Sequence, residues 1–215
     1  MQAEAERARL TPEEPRACFD QWAEEYDRCF LHRYIQKVQK RVVQLMSPAE
    51  DAFVLDIGCG TGEGIRYLGR MVKQGLLAGL DISPQMIEVA QRKFPDHPQV
   101  DLKVGDAEAL PWPASFFDEA MSTFTLHHFP HPDRALAEMV RVLKPGGRLF
   151  LADLVFPPSL RRPLNWILRL AEGAELEVQT LPSLRGLFLQ ASLRPARPVR
   201  LAPMIFLLVG QKDSP

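Results

Sequence analysis

A chain of 215 residues that is 46% hydrophobic is long enough to bury one sizeable core, so a single globular domain of the larger kind is expected. Its net charge of −1 and isoelectric point near 6.5 provide no global basic field to attract nucleic acid or an anionic membrane. Cys18, Cys29 and Cys59 have no regular spacing, which excludes a disulfide framework and a zinc site and suits reduced thiols in a cytoplasmic protein. The charged N-terminus "MQAEAERARLTPEEP" carries no apolar signal core, and the longest apolar run, Met204 to Gly210, is too short to span a bilayer.

From Arg16 to Met46, apolar and aromatic side chains recur at helical spacing: Phe19, Trp22, Tyr26, Phe30, Tyr34, Ile35, Val38, Val42 and Leu45. Residues 1–46 are therefore expected to form an N-terminal helical cap on a main domain over residues 47–215. "SPAED" breaks the helical pattern. Then follow "FVLDIG", "GIRYLGRMVKQG", "LLAGLDIS", "PQMIEVAQRKF", "VDLKVGDA", "FFDEAMSTF", "DRALAEMVRVLKPGG" and "RLFLADLVF". Strands alternating with helices of roughly ten to fifteen residues predict βαβ units, hence an α/β fold whose mainly parallel sheet has helices on both faces. "LKPGG" reads as a helix stop and turn with no chemistry. Residues at about 157–180 read as a short insert. "LPSLRGLFLQASL" then predicts a helix, and "RPVRLA" and "MIFLLVGQK" a closing pair of strands.

The chemistry centres on "VLDIGCGTGEG", in which Gly58, Gly60, Gly62 and Gly64 follow an apolar strand. Glycines here let a ligand approach the backbone at the carboxyl end of a parallel strand. No Lys-Ser/Thr follows them, which excludes a P-loop, and their G-x-G-x-G-x-G spacing overlaps a dinucleotide fingerprint only loosely. Asp56 decides between the ligands, because a carboxylate at the strand end repels pyrophosphate and suits a cationic amino group. Asp81 ends the next strand, placed to accept from both hydroxyls of a ribose. Asp106 ends the third, where it could accept from an adenine amine. An amino acid joined to adenosine, S-adenosyl-L-methionine, satisfies all three without phosphate.

The ordered set "VLDIGCGTGEG", "GLDIS", "GDAEALPWPASFFD" and "TLHHFPHPDRALAEMVRVLKPGGRL" resembles the class I S-adenosylmethionine-dependent methyltransferases, most nearly the ubiquinone/menaquinone-biosynthesis type. "FDQWAEEYD" near the N-terminus is similar to the same subgroup. The resemblance implies a Rossmann-like, mainly parallel seven-stranded sheet with a C-terminal antiparallel hairpin, and S-adenosyl-L-homocysteine as the product form of the cofactor. It further implies that Gly58, Gly60 and Thr61 shape the methionine end of the pocket and that Asp56 meets the ammonium directly or through water. Asp81 would clamp the ribose, Ile82 and Met86 would pack on the adenine, Asp106 and Ala107 would read its edge, and Thr123 would lie beside the methionine moiety. Blander readings stand beside these. Asp56 also suits a loop-orienting role, Asp106 an Asx turn, and Ile82 and Met86 plain core.

Methyl transfer needs an acceptor held in line with the methyl, and some acceptors also need a base. His127, His128 and His131 follow the fourth strand. His128, then His127, are the candidate bases, with Tyr26 as a group that could close over the cofactor; each has an alternative reading as structure. The insert offers Phe156, Leu160, Leu164, Trp166, Ile167 and Leu170 as apolar positions. Between Val155 and Pro203 stand seven arginines against three glutamates, a local charge of 7 − 3 = +4. That suits an apolar acceptor with an acidic group, RNA phosphates, or simply a solvated face. The expected activity is methylation of a small-molecule O, N or C atom. The alternatives are a tRNA or protein methyltransferase, or an inactive S-adenosylmethionine-binding partner protein. "STFTLHHF" stands where a nucleic-acid or protein methyltransferase would carry an Asn/Asp-Pro-Pro-Tyr motif.

Overall fold

The computed structural model describes residue 23 and residues 30–95, 97–172 and 177–214. Tyr26, with Phe19, Trp22, Cys18 and Cys29, lies outside the described residues, as does the side chain of Leu170.

Five apolar runs become parallel strands: β1 (Phe53–Ile57), β2 (Leu76–Asp81), β3 (Val100–Val104), β4 (Phe117–Thr123) and β5 (Leu143–Leu154). Around them pack α1 (Phe30–Met46), α2 (Glu63–Leu68), α3 (Pro84–Lys93), α4 (Pro132–Val142), α5 (Arg161–Glu172) and α6 (Leu181–Gln190). The chain closes with β6 (Leu193–Pro195), β7 (Val199–Ala202) and β8 (Ile205–Lys212), β8 running antiparallel to β5. The strand order is β3-β2-β1-β4-β5-β8-β6, with β7 also on β8.

The sequence did not signal β6. It and β7 follow one another along the same edge of β8, where Pro195 faces Gly210 and Val199 faces Leu207. The extra residue between them bulges, while the Ala196 amide still donates to the Val209 carbonyl at 2.8 Å. Eight strand segments therefore fill the seven positions of the expected sheet, and its last two strands close as an antiparallel hairpin.

Alternation along each strand splits the core in two. Leu55 and Ile57 of β1 join Leu80, Phe117, Leu136, Leu149 and Phe188 on the face covered by α4 and α6. Val54 joins Val42, Met46, Ile65, Leu68, Met121 and Phe150 on the face covered by α1 and α2. Asp56, two residues after Val54, shares this second face.

Two local expectations are corrected. "GIRYLGRMVKQG" is helical only to Leu68, because the amides of Lys73, Gln74 and Gly75 all turn to the Glu50 carbonyl, at 2.8, 2.8 and 3.2 Å. That turn presses Gly75 on Ala52, where an added Cβ would lie 1.9 Å from the carbonyl oxygen. Gly75→Ala should thus destabilise the fold by about 1–3 kcal/mol or more, read as a lower denaturation midpoint in urea; an unchanged midpoint would contradict this packing. "LKPGG" is the irregular start of β5 rather than a separate turn. Leu143 pairs with Phe117, pairing resumes at Arg148–Glu119, and Gly146 takes φ +77° in the bulge between.

The insert contains α5 and returns to its origin. Val155 and Gln179 form a parallel bridge, and the Phe156 amide donates to the Gln179 carbonyl at 3.0 Å. Ser83 and Thr180 cap α3 and α6 through their hydroxyls, each followed by a proline in the first turn.

Candidate cofactor cleft and active site

Strand order reverses between β1 and β4, and the cleft opens at the carboxyl ends of these strands, as expected of an open α/β sheet. It encloses about 930 Å³, including the solvent at its mouth. One wall is the glycine loop. The amides of Gly58 and Cys59 both donate to the Leu80 carbonyl, at 2.7 and 3.0 Å, which ties the loop to β2. A methyl on Gly58 would lie 2.2 Å from Thr125 Cγ2, whereas one on Gly60 (φ +51°) would meet nothing within 4 Å. The bare backbone at Gly60 is thus open space, which suits close approach by a ligand.

Asp81, 9% exposed, stands where the loop meets β2. Its Oδ2 accepts from the Gly60 amide at 2.8 Å and its Oδ1 from the Ser83 amide at 3.0 Å. One carboxylate therefore couples the glycine loop to the start of α3. Ile82, Met86 and Ala107 also line the cleft, Met86 and Ala107 being buried. Asp106 lines it too, with its Oδ1 accepting from the Glu108 amide at 2.9 Å, the Asx turn weighed from sequence. Thr61 and Thr123 complete the line from loop to β4.

Asp56 lies elsewhere. It is fully buried and off the cleft wall, and neither carboxylate oxygen has a hydrogen-bond partner among the described residues. An added Cβ on Gly64 would come within 2.3 Å of Oδ2, so Gly64 is the residue that gives this carboxyl room. Burial, then the Asp81 charge, push its pKa up to about 8. Burial likewise raises that of the Cys59 thiol, helped by Asp81 and Asp56, which keeps it protonated and unreactive.

The two candidate histidines part company. His127 is buried, its Nδ1 lies 2.5 Å from Asp153 Oδ1, and its amide donates to Asp153 Oδ2 at 3.2 Å. His128 lines the cleft beside it, with the rings 4.2 Å apart. Burial, then His127, hold the His128 pKa well below the ordinary imidazole value.

Several residues of the site were missed from sequence. Ile35 and Gln39, one helical turn apart on α1, line the cleft, and Gln39 Nε2 donates to Thr123 Oγ1 at 3.1 Å. An apolar periodicity search passes over a glutamine. Asp153 carried a usable signal, an acid inside the apolar run "RLFLADLVF", of the same kind that singled out Asp56. Phe124, just after β4, takes φ +57° and lines the cleft, a strained position of the sort found at ligand sites. Glu63 also lines it. Burial pushes its pKa up, but hydrogen bonds from Arg66 at 2.6 Å and Lys93 at 3.1 Å outweigh this and leave it lowered.

Three acids line the cleft and no lysine or arginine does, among the described residues. A phosphate ligand is poorly matched to such a wall, whereas a cationic nucleoside finds acids beside an apolar slot. Residues 55–151 match the family described as a methyltransferase domain. The chain is similar to a demethylmenaquinone methyltransferase of Thermotoga maritima, 37% identical over 149 residues, covering 67% of this chain and 62% of that one. It is also similar to the O-methyltransferase cnsE of Penicillium expansum, 34% identical over 163 residues, covering 74% and 58%. It thus spans less than two thirds of the length of these relatives. Among solved structures, a Haloferax volcanii methyltransferase in complex with the Trm112 methyltransferase activator superposes with a TM-score of 0.78 at 23% identity, over 91% of this chain and 97% of that one. Residues 55–151 thus form a methyltransferase domain, and the chain is similar to the class I S-adenosylmethionine-dependent methyltransferases, whose cofactor is S-adenosylmethionine. Within that class its similarity runs to the quinone-biosynthesis type.

Proposed function

We propose that this protein transfers a methyl group from S-adenosylmethionine to an apolar, hydroxylated small molecule, leaving S-adenosylhomocysteine. The observation that carries this reading is a cleft walled by Glu63, Asp81 and Asp106 with no lysine or arginine among the described residues, opening beside the bare backbone of Gly60. The cofactor, when bound, supplies a methyl already activated by a sulfonium. Asp81 holds the ribose hydroxyls while anchoring the glycine loop. Asp106 and Ala107 face the adenine edge, Ile82 and Met86 its ring, and Gly58, Gly60, Thr61 and Thr123 the methionine end. Asp56, protonated behind the loop while the cleft is empty, would give up its proton and face the ammonium as a carboxylate when the cofactor binds. His128 accepts the proton of the acceptor hydroxyl, and the His127–Asp153 pair holds the turn that carries it.

We assign the helical segment up to Met46 as a cap over the cofactor. The insert at about 157–180 then forms the acceptor side of the cleft. The helical segment brings Ile35 to the cleft wall.

Calorimetry should detect tight binding of S-adenosylhomocysteine and none of NAD; the reverse would overturn the reading. Labelled S-adenosylmethionine should then deliver its methyl to a hydroxylated aromatic acceptor. Asp81→Ala should weaken S-adenosylhomocysteine binding by about ten-fold or more, since charge-assisted bonds are lost and the Gly60 and Ser83 amides lose their partner. Unchanged affinity would remove Asp81 from the ribose role.

A further inference from the structure

Among its described side chains, helix α5 buries a polar one and exposes large apolar ones. Asn165 is buried, its Oδ1 accepting from the Val178 amide at 3.2 Å and its Nδ2 donating to the Val178 carbonyl at 3.5 Å. Arg161, one turn earlier, pairs with Glu177 at 3.0 Å. Pro163, Trp166 and Ile167, at helical spacing, are all exposed, Trp166 at 64% and Ile167 at 52%. Leu160, at 49%, and the exposed Pro157 and Pro158 extend the same surface into the preceding loop. A helix that only closes a soluble domain has the opposite arrangement, because exposing Trp and Ile while burying Asn forfeits hydrophobic stabilisation.

We propose that this outer face of α5 docks the protein on an anionic lipid bilayer. Helix α5 carries Arg161, Arg162 and Arg169 against Glu172, and with Arg161 paired to Glu177 on the inner side, the exposed Arg162 is the cation beside the apolar face. Exposed Arg162 stands one turn before Trp166. Tryptophan and isoleucine seat at the boundary between headgroups and acyl chains, and arginine finds lipid phosphate beside them. A second copy meeting this face about a two-fold axis would instead gather the Arg162 side chains of both copies into one interface. No helix among the described residues is long and apolar enough to cross a membrane, so the association is peripheral. The helix follows β5, at the end of the sheet where the cleft opens. Docking therefore brings the cleft's end of the molecule to the surface from which an apolar acceptor would be drawn. This does not depend on which molecule is methylated, or on methylation itself.

The test is co-sedimentation of the full chain with vesicles of mixed phosphatidylglycerol and phosphatidylcholine, and with phosphatidylcholine alone. The chain should pellet with the anionic vesicles, less with the neutral ones, and less again as salt rises. The double variant Trp166→Ser/Ile167→Ser should bind the anionic vesicles about ten-fold more weakly or worse. Arg162→Glu should lose about ten-fold on anionic vesicles and little on neutral ones. Unchanged circular-dichroism melting shows each variant folded, a control independent of any cofactor. Failure of the wild type to pellet, or equal binding by the double variant, would overturn the proposal. So would a dimer in light scattering that the double variant dissolves, since the face would then belong to a second copy. S-adenosylhomocysteine binding, measured separately, reports on the methyltransferase reading alone.

Discussion

Asp56→Asn is expected to make the cofactor-free protein more stable at pH 8 and to leave its stability at pH 4 nearly unchanged. The native carboxyl titrates near pH 8 against 3.8 for an ordinary aspartate, because it is fully buried, both oxygens lack a partner among the described residues, and Asp81 is nearby. Between those two values the folded protein holds a proton that the unfolded chain has released. Stability therefore falls as pH rises through this window, and is flat below and above it. A shift of that size corresponds to an upper bound on the order of 5 kcal/mol. Relaxation and water penetration reduce it to about 2–3 kcal/mol, or roughly 5–10 °C in melting temperature for a chain of this length. Asparagine keeps the shape and cannot ionise, so the difference between the two proteins should open across this window. Parallel melting curves at every pH would show that Asp56 is solvated or paired. The same variant should lose part of the stabilisation conferred by S-adenosylhomocysteine, because the charge proposed to face the ammonium is gone. Such an acid, costly alone and useful with a ligand, is the pattern of a site that trades stability for function.

His128→Gln is expected to lower kcat by roughly a hundred-fold or more while leaving the affinity for S-adenosylhomocysteine nearly unchanged. Its imidazole lines the cleft, and burial together with His127 holds its pKa well below 6.5. It is thus neutral at physiological pH, able to take a proton and unable to give one. Activity should fall only as pH drops through that lowered value, so the acid limb of the wild-type profile should lie below pH 6.5. In His128→Gln this limb should vanish. A near-normal kcat would remove the base role and leave the histidine pair as structure. His127 is the weaker candidate by geometry, since it is buried and, unlike His128, does not line the cleft.

The fold was legible because its signals are local. Short apolar runs separated by helical patterns specify parallel strands whatever the rest of the chain does, and the Ser-Pro and Thr-x-Pro starts of α3 and α6 stand where their caps form. The glycine loop and the acids that end β2 and β3 were visible for the same reason, since a ligand at strand ends needs bare backbone and acceptors at fixed places. By itself, then, the sequence determined the α/β class, the cofactor and most of one wall of the cleft. Tertiary packing decided the rest. Whether Asp56 enters the cleft depends on strand alternation, which turns it with Val54 toward α2 and away from the opening. Which histidine lines the cleft depends on Asp153, 26 residues further on, because that carboxylate reaches across from β5 to take His127. Gln39 joins the cleft only because α1 lies over β4, and the apolar stripe of α5 faces outward only because Asn165 is claimed by Val178. Pairings between distant segments leave no trace in local spacing, so only the folded chain could assign them.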